Sequence, residues 1–227
     1  MTLPSFLDIL KASAPRASTH LVPHGTFEGV AEETQPPSKR GLRLNTMGKF
    51  GTYKRLDTLL QAFDKVRQNP AYGDLRLEIG GGNHPNTPGY MEGLEAERAD
   101  DPGVTFLGYV AEEEVPDFFA RARLSVFDYS TTTGSSGVMH QAVSNGAVPL
   151  FPMIDDFVDL AKAEGIVGFN YATNDADDMA RALTQALDDP AHLDTLAAEN
   201  LKAAEHTPFA DVIDFHMQQI PGFAAAT

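Results

Sequence analysis

The chain has no cysteine among its 227 residues. A disulfide framework, a thiolate metal site and a cysteine nucleophile are therefore excluded. That absence suits a reducing compartment. A cytoplasmic location is expected, with any peripheral membrane attachment supplied by a missing domain or a partner. Long apolar runs are missing too. No stretch reaches the ~18 apolar residues of a membrane-spanning helix, so no transmembrane segment is expected. The N-terminus lacks the basic segment and apolar core of a signal peptide. Positive charge is scarce: 17 Lys and Arg stand against 32 Asp and Glu, a formal charge of −15. A field of that sign disfavours nucleic acid and anionic lipid as partners. An anionic small ligand would need local cations to hold it against that field, so clustered cations merit inspection.

Apolar residues, by contrast, make up 42% of the chain, enough for a sizeable core. Residues 1–14 read as a short helix, residues 20–25 as a brief extended run, and residues 26–40, with Pro36-Pro37, as a polar linker. From Gly41 onward, strand and helix patterns alternate. Strands are predicted at residues 42–47, 75–79, 104–110, 124–127, 147–151 and 166–169, with helical periodicity between them. Amphipathic helices are predicted at 177–187, 191–204 and 212–219. Six apolar strands separated by helices imply a single Rossmann-like, doubly wound α/β domain with a mostly parallel six-stranded sheet. The expected organisation is an N-terminal helix and linker over 1–40, the Rossmann-like domain over 41–190, and C-terminal helices over 191–227 packing on it.

Such sheets bind ligands beyond the strand C-termini, and two post-strand segments stand out. Residues 130–149 begin as a loop of small hydroxylated residues and glycine and become a helix near Val138. A helix start of this kind leaves backbone N–H groups unpaired, with no bulky side chain in front of them. It is suited to an anion, or is simply a polar turn. Gly146 suits a left-handed cap, with Pro149 just beyond. The second segment is Gly48-Lys49-Phe50-Gly51-Thr52-Tyr53-Lys54-Arg55, read as a loop between the first strand and the first good helix. Its glycines permit a tight turn. Two lysines there could neutralise a diphosphate; a solvated basic turn is the alternative.

Other patterns carry less. Asp175-Ala176-Asp177 precedes a helix, where acids favour the helix dipole, and reads as a cap region rather than a metal site. The seven histidines show no metal-ligand pair on one helix face. His20 and His24 read as strand-end packing or surface, and His140 as pointing away from its neighbour Gln141. Gly80-Gly81-Gly82 does not fit the dinucleotide fingerprint. Gly134-Ser135-Ser136-Gly137 is one residue short of a nucleophile elbow.

Taken together, Val22-Pro23-His24-Gly25, Gly48-Lys49 with Lys54, Phe106-Leu107-Gly108-Tyr109-Val110 and residues 134–149 resemble a known family. They are similar, in order, to the C-terminal, nucleotide-sugar-binding domain of GT-B glycosyltransferases, most of all to the retaining family 4 group. The resemblance runs over residues 21–190 and implies roles. Gly48, Lys49 and Lys54 would hold the donor diphosphate. Gly134, Ser135, Ser136 and Gly137 would face the phosphates. Tyr109 and Val110 would lie near the base. The family commonly carries two glutamates in the last segment, one at the donor sugar and one at the ribose; Thr133 and Gln141 stand there instead. Gln141 can still exchange hydrogen bonds with a ribose, whereas Thr133 offers no carboxylate to developing positive charge. No catalytic residue, metal or cofactor is assigned; the nucleoside diphosphate sugar is the donor substrate.

GT-B enzymes pair two such domains, and too few residues precede the first strand here for a second one. The expectation is the donor-binding half of a retaining glycosyltransferase, inactive alone, whose partner is a separate N-terminal acceptor-binding half. The alternative is a non-catalytic nucleotide-sugar-binding or partner-binding module. A receiver-type signalling domain would need an acidic pair where Gly48-Lys49 stands.

Overall fold

The computed structural model describes residues 4–22, 24–25, 29–31, 34–131, 134–206 and 209–219. Six strands form one sheet: β1 (Arg43–Phe50), β2 (Arg76–Asn83), β3 (Val104–Gly108), β4 (Leu124–Val126), β5 (Val148–Pro152) and β6 (Phe169–Tyr171). Every pairing is parallel and the strand order is β3-β2-β1-β4-β5-β6. The order reverses between β1 and β4, which makes the ends of those strands the topological switch point.

Helices cover both faces of the sheet. Every residue of β4 and β5 is buried, as expected for a parallel sheet buried on both sides. One core joins the sheet to α2 (Asp57–Arg67) and α7 (Ala176–Asp188) through Leu59, Leu60, Phe63, Met179 and Leu183. The other gathers Phe118 and Phe119 of α4 (Val115–Ala120), Met139 and Val143 of α5 (Gly137–Ser144), and Phe157 and Leu160 of α6 (Asp155–Glu164). The remaining helices are α1 (Pro4–Ser13), α3 (Tyr90–Glu97), α8 (Pro190–Glu205) and α9 (Phe209–Gln218). Asp175 caps α7, its carboxylate accepting from the N–H groups of Asp177 and Asp178, each at 2.9 Å. Gly146 follows α5 at φ 68°, the left-handed conformation its position called for.

Three expectations need correction. Gly48, Lys49 and Phe50 are not loop but the end of β1, in register with Gly81, Gly82 and Asn83 of a longer β2. The polar stretch 26–40 is not a free linker over its described residues. Ala31 N–H bonds to Ser144 O at 3.0 Å, Asp194 of α8 accepts from Ser38 N–H and Oγ, and Arg40 is buried. The sixth strand, expected at residues 166–169, is Phe169–Tyr171. His20 packs edge-on against Phe215 of α9.

Pro149 lies inside β5, where a missing N–H is costly. The β5–β6 register places Leu150 opposite Phe169. In a parallel ladder a donor at position 149 would therefore meet the Val167 carbonyl. The buried amide of Asn200, on α8, takes that place: its Nδ2 donates to Val167 O at 2.9 Å and its Oδ1 accepts from Val167 N–H at 2.9 Å.

Candidate functional site at the switch point

A cavity of about 750 Å³ opens beyond the C-terminal ends of β1, β2 and β3 and beside α5. Its wall contains Gly48, Lys49, Lys54, Tyr109, Val110 and Gln141. Six residues singled out in the sequence thus meet at one place, although they span 94 positions of chain from 48 to 141. Gly134, Ser135, Ser136 and Gly137 are not in that wall, and Thr133 lies outside the described residues.

The cation over β1 is Lys54. A Cβ on Gly48 would lie 3.2 Å from Lys54 Cδ, so glycine leaves room for the lysine to lie across the strand end. Lys54 Nζ sits 5.0 Å from the centroid of Tyr129 and 5.8 Å from that of Tyr53, a cation–π arrangement. Burial pushes the ammonium's pKa below the usual lysine range; the neighbouring Tyr53 partly opposes this. The backbone is fixed as firmly. Lys54 and Tyr129 form a β-bridge, Ser130 N–H bonds to Tyr53 O, and Arg55 N–H bonds to Asp128 O. The loop after β1 is therefore zipped to the loop after β4.

Arg55, the third cation of that loop, does not contribute to the cavity. Its Nε is 3.0 Å from Asp57 Oδ2, which also accepts from Tyr90 OH. Among the described residues Lys49 and Lys54 form no ion pair. Glu112 is the carboxylate of the wall.

The N-termini of α2 and α5, which follow β1 and β4, lie at this end of the sheet, and they differ. That of α2 is filled by the protein itself: buried Asp128 Oδ2 accepts from Thr58 N–H at 3.0 Å and Leu59 N–H at 3.1 Å. Burial raises the Asp128 pKa, and those N–H groups pull it back down. At α5, Ser136 is the cap. Its Oγ accepts from Met139 N–H at 3.3 Å and lies 3.1 Å from Tyr129 OH, so its hydroxyl is engaged within the protein. Ser135 Oγ is buried without a hydrogen-bond partner. An anion in the cleft is left with the two lysines, and α5 lines it with Val138 and Gln141.

Behind α5, His140 is buried. Its Nδ1 lies 2.8 Å from Ser136 O and its Nε2 2.5 Å from Glu164 Oε2. It points away from the cavity, as its helical position implied. His24 stacks on it with ring centroids 4.8 Å apart. A Cβ on Gly137 would come within 3.4 Å of His24 Cε1.

Met47, Tyr53, Gly81, Gly82, Asn83, His84, Glu112, Val115 and Val138 complete the wall and were not expected as site residues. The signal for four of them was present: a glycine run followed by Asn-His at the end of a strand. The run does not fit a dinucleotide fingerprint, and its place at a strand end is what matters. Gly81 instead serves close strand approach. At φ 116° its Cβ would lie 1.9 Å from Gly48 O. His84 Nδ1 accepts from Asn86 N–H at 3.2 Å, which places the ring proton on Nε2.

These features define a Rossmann-like α/β domain with a cation-bearing ligand cleft at its switch point. The chain belongs to the family described as Glycosyl transferases group 1, which matches residues 42–189. Mannosylfructose-phosphate synthase from Agrobacterium fabrum is 28% identical over 140 residues, 55% of this chain and 31% of that protein. Among solved structures, sucrose-phosphate synthase from Thermosynechococcus elongatus superposes with a TM-score of 0.73 at 20% identity. It covers 96% of this chain, which in turn covers 56% of it. TarM from S. aureus, in complex with fondaparinux, alpha-GlcNAc-glycerol and UDP, gives a TM-score of 0.75 at 11% identity over 96% of this chain and 42% of its own. The fold is that of one half of a GT-B glycosyltransferase, and the chain spans only about a third to a half of the length of these relatives.

Proposed function

We propose that this chain is the donor-binding half of a retaining glycosyltransferase and holds a nucleoside diphosphate sugar in the switch-point cleft. The observation that carries this is the pairing of Lys49 and Lys54, without ion-pair partners among the described residues, in a cleft of a protein whose formal charge is −15. A bound diphosphate would compensate the desolvated Lys54 ammonium. Tyr109, 85% exposed, offers a rim on which a base can stack. Gln141 is placed to exchange hydrogen bonds with a ribose.

In the transfer, the bond between the anomeric carbon and the diphosphate oxygen breaks, and an acceptor oxygen forms the new bond while losing its proton. The lysines would stabilise the negative charge gathering on the leaving diphosphate. Relatives whose structures contain UDP make UDP the first nucleotide to try. Calorimetric titration with UDP, GDP, ADP and their sugars tests the reading. Micromolar to millimolar binding of at least one, lost on Lys54→Ala, supports it; no binding of any of them sinks it.

The second reading, a non-catalytic nucleotide-sugar-binding module, is favoured by one feature. Thr133 and Gln141 stand where the resembled enzymes carry glutamates. Donor binding without transfer, even when a matching acceptor-binding half is added, would select it.

A further inference from the structure

The other end of the sheet holds a second concentration of positive charge. Residues 34–41, the first residue of β1 and the end of α4 enclose a cavity of about 490 Å³ lined by Lys39, Arg40, Arg43 and Arg121. Arg123 lies directly behind, its Nε and Nη2 each 3.2 Å from Arg40 O. Five of the chain's 17 cationic residues are thus gathered here, in a protein with 32 acidic residues. Among the described residues three carboxylates oppose them: Asp194, whose charge acts on Arg40, and two nearer the cavity. Glu78 is shared between Arg43 at 3.1 Å and Arg121 at 2.7 Å, and Asp117 is part of the wall. The place is distinct from the switch-point cleft. Arg43 begins β1 and Lys49 nearly ends it, about 20 Å apart at ~3.3 Å per residue.

Arg40 is the informative side chain. It is only 5% exposed. Its Nε donates to Gln35 O and its Nη1 to Ala122 O, each at 2.8 Å, so its contacts are to neutral carbonyls. Its Nη2 is buried without a partner, as is Arg43 Nε. The Nη2 lies beside Thr34, another wall residue: a Cβ on Gly146 would sit within 3.2 Å of both. Burial lowers the Arg40 pKa to about 10, partly offset by Asp194, so the group is charged at neutral pH. A buried guanidinium with an unmade hydrogen bond and no ion pair among the described residues is unfavourable by itself. An anion in the adjoining cavity relieves both deficits. Guanidinium forks match the oxygens of phosphate more closely than lysine does. The volume suits a small molecule rather than a macromolecular surface.

We propose that this cavity is a second ligand site, for a phosphate-class dianion: inorganic phosphate or the phosphate group of a small phosphorylated metabolite. It does not depend on the donor reading, because none of its residues belongs to the switch-point cleft.

The test is calorimetry and thermal denaturation of the full chain at low salt, with inorganic phosphate, a hexose phosphate and phosphatidylglycerol vesicles as probes. Lys39→Gln/Arg121→Gln alters two exposed cations and leaves buried Arg40 in place. It should weaken phosphate binding about tenfold or more, and Lys49→Ala/Lys54→Ala should leave it unchanged. Tighter binding of the hexose phosphate than of phosphate identifies a metabolite site; equal binding identifies a phosphate site. Four results would overturn the proposal. One is no rise in melting temperature at about 10 mM of either soluble probe. Another is phosphate binding abolished by the Lys49/Lys54 pair and untouched by the Lys39/Arg121 pair. A third is binding to vesicles alone. The last is binding that emerges only after Asp117→Asn, which would mean that the chain's own carboxylate neutralises the cavity.

Discussion

Lys54 is held in a setting that works against its charge, between Gly48 and two tyrosine rings. Removing it should weaken nucleoside diphosphate binding by about tenfold or more, the worth of one charge-assisted hydrogen bond at ~1.5–3 kcal/mol. A second consequence concerns pH. The charged form binds the diphosphate, and burial has lowered the pKa. Affinity should therefore be full below that lowered value and fall as pH rises through it, earlier than an exposed lysine would allow. Lys54→Arg should flatten the alkaline limb, and an identical fall in that variant would assign the effect elsewhere. Asp128 makes the complementary case. Its side chain ties the loop after β4 to the start of α2. Asp128→Ala orphans two backbone donors and should cost roughly 1–3 kcal/mol in urea unfolding. Asp128→Asn keeps an acceptor, sheds the buried charge and should cost less. The sign follows from its raised pKa. The proton-linked contribution of this acid to stability is present below the unfolded value of about 3.9 and declines as pH rises through the folded one.

At the scale of elements, the first five strands were legible in their centres and not at their ends, and the sixth was displaced toward the N-terminus. Leu44, Leu77, Leu124 and Leu150 sit in short apolar or alternating segments that read as strands, and all four are buried. Gly48-Lys49 broke that pattern and read as a turn. In space it continues as strand because Gly81 and Gly82 allow β2 to pair beside it. Gly81→Ala should be poorly tolerated, since its Cβ would overlap the Gly48 carbonyl and the backbone is left-handed there. Lost solubility or a lowered melting temperature is the expected readout. Asn200 supports the weakest point of the sheet, the proline inside β5. Asn200→Leu leaves the part-buried Val167 N–H and C=O without their partner and should cost about 1–2 kcal/mol, measured by denaturant titration. At α5, Gly137→Val meets the His24 ring. It should perturb the His24–His140 stack as well as any ligand at the helix start, so a loss of binding there reports on both.

For the whole molecule, the two ends of the sheet carry separate groups of positive charge. The C-terminal edge carries the cleft with Lys49 and Lys54, and the N-terminal edge carries Lys39, Arg40, Arg43 and Arg121. On the proposed function, this polypeptide assayed by itself should bind a nucleotide sugar and transfer no sugar to an acceptor. Restoring glutamate at Thr133 and Gln141 should not rescue transfer, because a single domain cannot close over the donor and exclude water. Slow donor hydrolysis is the expected ceiling in a product assay. Robust transfer by the purified chain would refute the half-enzyme reading and direct attention to an acceptor site on this domain.

The family and the parallel α/β class were settled by sequence alone, because both rest on local information: apolar runs, helical periodicity, glycine and lysine placed after strands. The cap at Asp175 and the outward-facing His140 were legible for the same reason. Tertiary structure alone decided which loops share a wall. The order β3-β2-β1-β4 brings Gly82 and His84 beside Lys49, and no local pattern encodes strand order. It also decided which charges are spent. Asp128 fills the α2 terminus, Asp57 takes Arg55, and Arg40 is buried against carbonyls from Gln35 and Ala122. Such pairings join residues far apart in the chain, and they depend on burial and direction, which composition and spacing do not contain.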